Sequence, residues 1–138
     1  MFIEDNEKIS LKIYYRKLGR NYEALTETDF KKLTDELKSK FKVLSIEMKI
    51  MTWGLYNDLQ EAAMAELGDG TGNKIFNWKL YKESRLRRLL LKWDAKDKEG
   101  KPVPISDKNI NQLAPSIAEV ILKAYDEESF LGEEEEKN

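Results

Sequence analysis

Four residues between positions 81 and 92 have the types and spacing to bind negatively charged groups. Tyr81, Arg85, Arg88 and Lys92 follow one another at intervals of four, three and four residues. Residues at these intervals lie on one face of an α-helix, so the pattern predicts a basic stripe. Arginine donors suit oxyanions, and such a stripe would bind an acidic protein segment or nucleic acid phosphates. A solvated helix face balanced by neighbouring acids is the alternative.

The partner of this stripe is predicted to be a protein. The pI of the sequence is about 5.4, and no motif typical of nucleic acid recognition accompanies the stripe. We therefore expect no nucleic acid partner. The predicted partner-binding residues are Tyr81, Arg85, Arg88, Lys92, Trp93 and Asp94.

Catalytic and metal-binding chemistry has few candidate residues. The 138 residues include no His and no Cys, which removes Ser-His and Cys-His pairs, thiol nucleophiles and the usual zinc ligands. The 26 acids include no pair that the sequence singles out for acid-base catalysis. We predict that the protein is not an enzyme, with no catalytic, cofactor-binding or metal-binding residues.

Two glycine-containing segments resemble ligand loops only in composition. With Gly100 at the sixth position of a calcium loop, Ala95 would be first and Ser106 last, so both anchoring carboxylates are missing. The three glycines of residues 68–73 are not followed by the Lys-Ser/Thr pair of a phosphate loop. We predict a surface turn around Gly100 and a flexible connector at 68–73.

The near-neutral net charge of -2 hides a division along the chain. Residues 126–138 sum to -6 and residues 1–125 to +4, and the segment from Lys74 to Lys101 alone carries +6. A basic middle and an acidic end either attract each other or serve different partners. The longest apolar run is far below the roughly 20 residues of a transmembrane helix, and we expect a cytoplasmic protein without membrane contact.

The elements that must position these residues are predicted from hydrophobic periodicity. Alternation at residues 9–16 and 44–51 predicts two strands, although a helix continuing through Val43 competes with the second. Capping residues and periods near 3.6 predict the helices. They are expected at 29–40 after Thr28, from Thr52 to about Leu67, at 77–93, from Ser106 to about Leu113, and from Pro115 onward with Ile117, Val120, Ile121 and Ala124 buried.

Together these elements predict an α+β fold that is mostly helical. We expect about four to five helices with a small two-stranded sheet from the N-terminal part. Residues 1–131 are predicted to form a single globular domain, and residues 132–138 an acidic disordered C-terminal tail.

The aromatic residues are predicted to belong to the core. Trp53, Trp78 and Trp93 lie near helix ends together with Tyr56 and Tyr81, and aromatic side chains dominate burial in small domains. An exposed aromatic groove that accepts a partner helix is the alternative. The methionines compatible with such a groove are Met48, Met51 and Met64.

One segment resembles a known family. From Trp93 to Ile105 the chain has the pattern Trp-Asp-x-x-Asp-x-x-Gly-Lys-Pro-x-Pro after a basic and apolar helix. A short capped helix, the turn Leu113-Ala114-Pro115 and a final helix with an acidic end follow. Over residues 52–131 the chain resembles the tail assembly chaperones of tailed bacteriophages.

The resemblance implies a non-enzymatic helper of phage tail assembly in the host cell cytoplasm. Such chaperones bind the helical tape measure protein, prevent self-association of its apolar surface and help to bring tail tube protein onto it. The expected partners are thus the tape measure and tail tube proteins, and self-association stays open. A structural virion protein of the tail or head-tail connector, or a phage inhibitor that binds a host protein, are the alternatives.

Overall fold

The computed structural model describes the backbone of residues 1–137 and the side chains of residues 1–129. This part of the chain forms six strands and six helices. In chain order they are β1 (Lys8–Leu18), β2 (Asn21–Thr26), α1 (Glu27–Lys31), α2 (Asp35–Lys38), β3 (Lys42–Lys49), α3 (Trp53–Ala62), β4 (Met64–Glu66), β5 (Lys74–Phe76), α4 (Trp78–Leu89), β6 (Leu90–Trp93), α5 (Asp107–Asn111) and α6 (Pro115–Lys137).

The fold is α+β, but the predicted mostly helical architecture with a two-stranded sheet is wrong. Four strands form an antiparallel sheet in the order β2-β1-β3-β6, and β4 and β5 form a separate two-stranded sheet. Strand accounts for 29% of the residues against 40% helix, and only three of the six helices are substantial. Both predicted strands are confirmed as β1 and β3, so the error lies in strands that periodicity did not reveal.

The first missed strand, β2, pairs with β1 through a two-residue loop. Leu18 lies opposite Asn21, which leaves Gly19 and Arg20 as the loop. Gly19 has a φ of 63°, and the type II′ hairpin turn requires a positive φ at this first loop position. Because four of the six β2 residues are half-buried, the strand lacks the clear alternation that marks β1.

The second missed strand, β6, was predicted to be the end of a helix. At Leu90 the backbone turns to φ -70° and ψ 120°, so α4 ends at Leu89 and the chain continues as a strand. Leu90 and Trp93 lie opposite Met48 and Ile46 of β3 and are buried. A run of apolar residues at this point fits a helix or a strand by periodicity alone, and pairing with β3 decides between them.

The predicted helix at 29–40 is two short helices, and its cap is not Thr28. The Oγ1 atom of Thr26 accepts a hydrogen bond from Asp29 N at 3.3 Å, which places the first N-cap two residues earlier. The chain then leaves the helix, and Thr34 caps α2 by accepting from Leu37 N at 3.3 Å. Thr34 is thus a second capping residue within residues 29–40, and a separate helix begins after it.

The predicted cap Thr52 is confirmed, but its helix ends five residues early. The Thr52 Oγ1 accepts from Leu55 N at 3.1 Å, and α3 stops at Ala62. The chain then forms the β4–β5 hairpin around residues 68–73, whose three glycines have φ between 75° and 80°. In this loop Asp69 accepts hydrogen bonds from the Thr71 hydroxyl and backbone N–H, which lower the pKa of the Asp69 carboxyl.

The core lies between the four-stranded sheet and α4 and α6. The inward residues of β1 and β3 alternate as predicted, and α6 covers this face of the sheet. The core cluster contains Leu11, Ile13, Leu44, Ile46, Met48, Leu86, Leu89, Leu90, Trp93, Ile110, Ile117, Ile121, Leu122, Ala124 and Tyr125. Three of the four residues predicted as the buried face of α6 belong to it, and Val120 is packed against it.

The remaining helical caps agree with the sequence analysis. The Ser106 Oγ accepts from Asn109 N at 3.1 Å at the start of α5, and Pro115 is the first residue of α6. The tail predicted to be disordered, residues 132–138, lies outside the residues with described side chains, and this part of the prediction stays a prediction.

Candidate functional site

Arg85, the centre of the predicted basic stripe, is buried in the structure. Its relative exposure is 8%, and its guanidinium forms an ion pair with Asp126 of α6. The guanidinium also lies over the rings of Tyr81 and Tyr125, at 5.5 and 5.6 Å from their centroids. Arg85 therefore ties α4 to α6. Its Nε is a buried donor without an acceptor among the described residues.

The predicted stripe is interrupted beyond Arg85, because Tyr81, Arg85 and Arg88 belong to α4 but Lys92 does not. Arg88 is exposed in the last turn of α4, and Lys92 is exposed on β6 opposite Glu47. The continuous stripe is not formed because α4 ends at Leu89, before it reaches Lys92. The assignment of these residues to partner binding stays a prediction.

Trp93 and Asp94, the first residues of the family-like motif, form hydrogen bonds that connect the following loop and β3. Trp93 is 9% exposed, and its Nε1 donates to the Val103 carbonyl at 2.6 Å. The Asp94 Oδ1 accepts from Ser45 N at 2.8 Å, and Asp94 N donates to Ser45 O at 3.2 Å. The most specific part of the resemblance thus has a structural role in this chain.

The rest of the motif forms a tight hairpin, in agreement with the predicted surface turn. The Asp97 Oδ1 accepts from Glu99 N at 2.8 Å and from Lys101 N at 3.0 Å, and Gly100 has a φ of 81°. This carboxylate oxygen is therefore engaged by the backbone of its own turn. At the base of the hairpin, Val103 N donates a hydrogen bond to Ala95 O at 2.9 Å.

Five aromatic side chains from α3, β5 and α4 form one surface, and all of them except Phe76 are predicted from the sequence to be core. Trp53 and Trp78 are 76% and 70% exposed, and Tyr56 is also exposed, so the core prediction is wrong for all three. The rings of Trp53 and Tyr56 stack with centroids 5.7 Å apart. Those of Phe76 and Trp78 meet edge to face at 4.9 Å. We call Trp53, Tyr56, Phe76, Trp78 and Tyr81 the aromatic surface.

The aromatic surface contains a concavity with a charged floor. This concavity has a volume of about 530 Å³ and is lined by Tyr56, Gln60, Phe76, Trp78, Tyr81, Arg85 and Asp126. Met64 lies opposite Phe76 in the β4–β5 hairpin, and its exposed side chain extends the apolar area on the same side. The other two methionines weighed for a groove do not contribute, since Met48 is fully buried and Met51 packs against the core.

The sequence contains one local signal for this surface. On α3, Trp53 lies about 160° around the helix axis from Leu55, so it cannot face the same side as the buried stripe. Trp78 shares the angular side of Leu89, but it lies about 16 Å earlier along α4. Helical periodicity does not encode how far the core extends along α4, so it does not predict the exposure of Trp78.

A second concave surface is basic and was missed entirely. It has a volume of about 540 Å³ and lies between the ends of β1 and β2, the start of β3 and the hairpin after β6. We call it the basic cleft, and its lining residues are Tyr15, Arg16, Lys17, Leu18, Tyr22, Lys40, Lys42, Lys96, Asp97 and Lys98. Burial, followed by the charge of Asp94, raises the pKa of the Tyr15 hydroxyl at its inner wall. The six bases come from three separate segments, so no local run of basic residues in the sequence predicts the cleft.

Comparison with protein-family models, curated proteins and solved structures finds no match for this chain. The resemblance to phage tail assembly chaperones therefore rests on the motif and its neighbouring elements. Within the described part of the chain, no helix combines the length and apolar character needed to cross a membrane. The same residues contain no group of three or more acidic side chains arranged to hold a metal ion.

Proposed function

We propose that this chain is a non-enzymatic tail assembly chaperone of a tailed bacteriophage. It binds the tape measure protein in the host cytoplasm and assists assembly of the tail tube protein around it. The observation that carries the proposal is the aromatic surface, because it offers apolar area for a partner on a small and highly charged domain. The family-like motif from Trp93 to Ile105 supports the phage context.

The aromatic surface suits the apolar face of a helix. Tryptophan and tyrosine bury large areas on binding, lose little side-chain entropy and dominate the energetics of interfaces. A partner helix with apolar residues at intervals of three and four would place them against Trp53, Tyr56 and Trp78. The long helical tape measure protein is a partner of this kind.

The distribution of charge suits a chaperone that keeps such a complex in solution. Charged residues make up 36% of the chain, whereas the aromatic surface occupies one side of α3 and the start of α4. A bound apolar segment would thus be covered on one side and surrounded by charged groups. This arrangement opposes self-association of the partner.

The proposal is tested by co-expression with the tape measure protein of the same phage. We expect the soluble fraction of the tape measure protein to rise severalfold with the wild-type chain. The variant W53A/Y56A/W78A should lose most of this increase, because it removes the exposed rings. The control L18A/V43A/L91A truncates three exposed apolar side chains elsewhere and should behave as the wild type does.

An unchanged soluble fraction with the wild-type chain would contradict the proposal. Purified phage particles provide an independent readout, since a chaperone leaves the particle. Recovery of the chain in particles would indicate a structural virion protein instead. Recovery of a host protein, without any tail protein, in a pull-down from infected cells would indicate an inhibitor.

A further inference from the structure

The basic cleft carries a large excess of positive charge that its own acids do not offset. Glu23 forms an ion pair with Arg16 at 2.7 Å, and the Asp97 Oδ1 accepts hydrogen bonds from the backbone of its turn. The five lysines of the cleft make no ion pair with any described residue. They are Lys17, Lys40, Lys42, Lys96 and Lys98. Clustered like charges raise the potential of a concave surface, and this favours an anionic occupant.

The chain itself contains a matching anionic segment. Beyond Asp126, which is paired with Arg85, residues 127–138 sum to -5, and Glu133–Glu136 is an uninterrupted run of four acids. Each glutamate carboxylate can accept charge-assisted hydrogen bonds from a lysine ammonium group. Charge complementarity therefore identifies an acidic peptide as the occupant, and this segment is the one whose sequence is known.

The path of α6 directs this segment away from the cleft of its own chain. At the start of α6, Ser116 Oγ donates to the carbonyl of Tyr22, a residue of the cleft, at 2.7 Å. Nine residues later, the Tyr125 hydroxyl donates to the carbonyl of Lys49 at 3.0 Å. Lys42 and Lys49 are the two ends of β3, which are about 23 Å apart. The described chain thus leaves at the end of the sheet opposite the cleft.

From these observations we infer that the basic cleft binds the acidic C-terminal segment of a second copy of this chain. Each copy then offers a cleft at one end and an acidic segment at the other. Copies arranged head to tail would form rings or open chains, and an antiparallel pair that exchanges both segments would form a two-fold dimer. The association depends on charge and weakens with salt. It does not involve the aromatic surface, so it goes beyond the proposed function and can fail separately from it.

The experiment is sedimentation velocity of the full chain at low and at high ionic strength. We expect assemblies larger than a monomer at low ionic strength that dissociate when salt is added. Two variants should be monomeric in both conditions. One is the cleft variant K40E/K42E/K98E, and the other is the tail variant, which ends at Leu131. The control K12E/K31E/K108E makes the same change of charge outside the cleft and should still assemble.

Mixing the two variants separates exchange between copies from a tail that folds back on its own cleft. The cleft variant retains the acidic segment, and the tail variant retains the cleft. Together they should form a one-to-one complex that grows no further. Absence of this complex, or a wild-type chain that is monomeric at low ionic strength, would overturn the inference.

A peptide probe keeps the test decisive should the cleft variant not fold. A labelled peptide with the sequence of residues 126–138 should bind the tail variant, as measured by fluorescence anisotropy, and bind at least tenfold more weakly at high ionic strength. No binding would overturn the inference. Equal binding of a single-stranded oligonucleotide of the same charge would also overturn it, since the cleft would then accept any polyanion.

Discussion

The three tryptophans divide the molecule into two regions that use the same side chain differently. Trp93 is 9% exposed on β6, and its indole N–H donates to the Val103 carbonyl. Trp53 and Trp78 are more than two thirds exposed at the starts of α3 and α4. In the sheet region the indole area is already buried by folding, whereas in the aromatic surface most of it remains for a partner. Folding therefore buries the indole of Trp93, whereas the indoles of Trp53 and Trp78 stay mostly exposed.

The difference between the two regions is tested most strongly by truncating one side chain from each. Ile121 is fully buried between α6 and the sheet, and I121A should lower the free energy of unfolding by about 2–5 kcal/mol, because it leaves a cavity. W78A should cost less than about 1 kcal/mol, since little area is lost. Urea unfolding followed by far-UV circular dichroism measures both. If W78A cost as much as I121A, the aromatic surface would belong to the core.

A smaller effect is expected when a tryptophan is replaced by phenylalanine, which removes the indole N–H and part of the ring area. W93F should cost about 1–2 kcal/mol, because it deletes the hydrogen bond to Val103 and leaves a half-buried carbonyl without its donor. Amide hydrogen exchange of residues 95–103 should accelerate in this variant. W53F, at an exposed site, should change neither quantity. Equal behaviour of the two variants would remove the distinction between the regions.

The smallest expected effect is a dependence of stability on alkaline pH. Burial raises the pKa of the Tyr125 hydroxyl above its ordinary value near 10, since the phenolate would be formed inside the core. The unfolded chain then loses this proton first, so the contribution of Tyr125 to stability is constant below about pH 10 and falls as pH rises above it. Y125F should show a shallower fall, measured as melting temperature between pH 9 and 11. The raised pKa of Tyr15 leaves part of the slope in place.

The matched control for this measurement is Y56F, which alters a tyrosine of the aromatic surface. It should retain the slope of the wild-type chain. A slope in Y125F that equals the wild-type slope would show that the Tyr125 hydroxyl is not protected by the fold.

Elements with local signals were predictable from the sequence. Alternation located β1 and β3, and a capping hydroxyl located the starts of α3 and α5. β2 and β6 depend on pairing with those strands, and neither has a periodicity that would reveal it alone. The two strands that lack a local signal, β2 and β6, are the edge strands of the sheet, whereas β1 and β3 lie at its centre.

The candidate sites depend even more on distant residues. The spacing of Arg85 suggested a surface stripe, but its burial depends on Asp126 and Tyr125, some forty residues further along the chain. The basic cleft likewise assembles lysines from three segments that only the sheet brings together. Residue type and spacing identify the charged and aromatic side chains, but they do not show which of them the fold leaves exposed.

The hydrogen bonds that close the hairpin after β6 have a consequence for the entropy of binding. Lys96 and Lys98 lie on a segment whose backbone is held by Trp93, Asp94 and Asp97, so their Cα positions are set before any anion arrives. An acidic segment loses conformational entropy when it binds, whereas the backbone of the hairpin has already lost most of its conformational entropy on folding. The cleft is in this sense preorganised, and the folding of the hairpin has already met part of the cost of recognition.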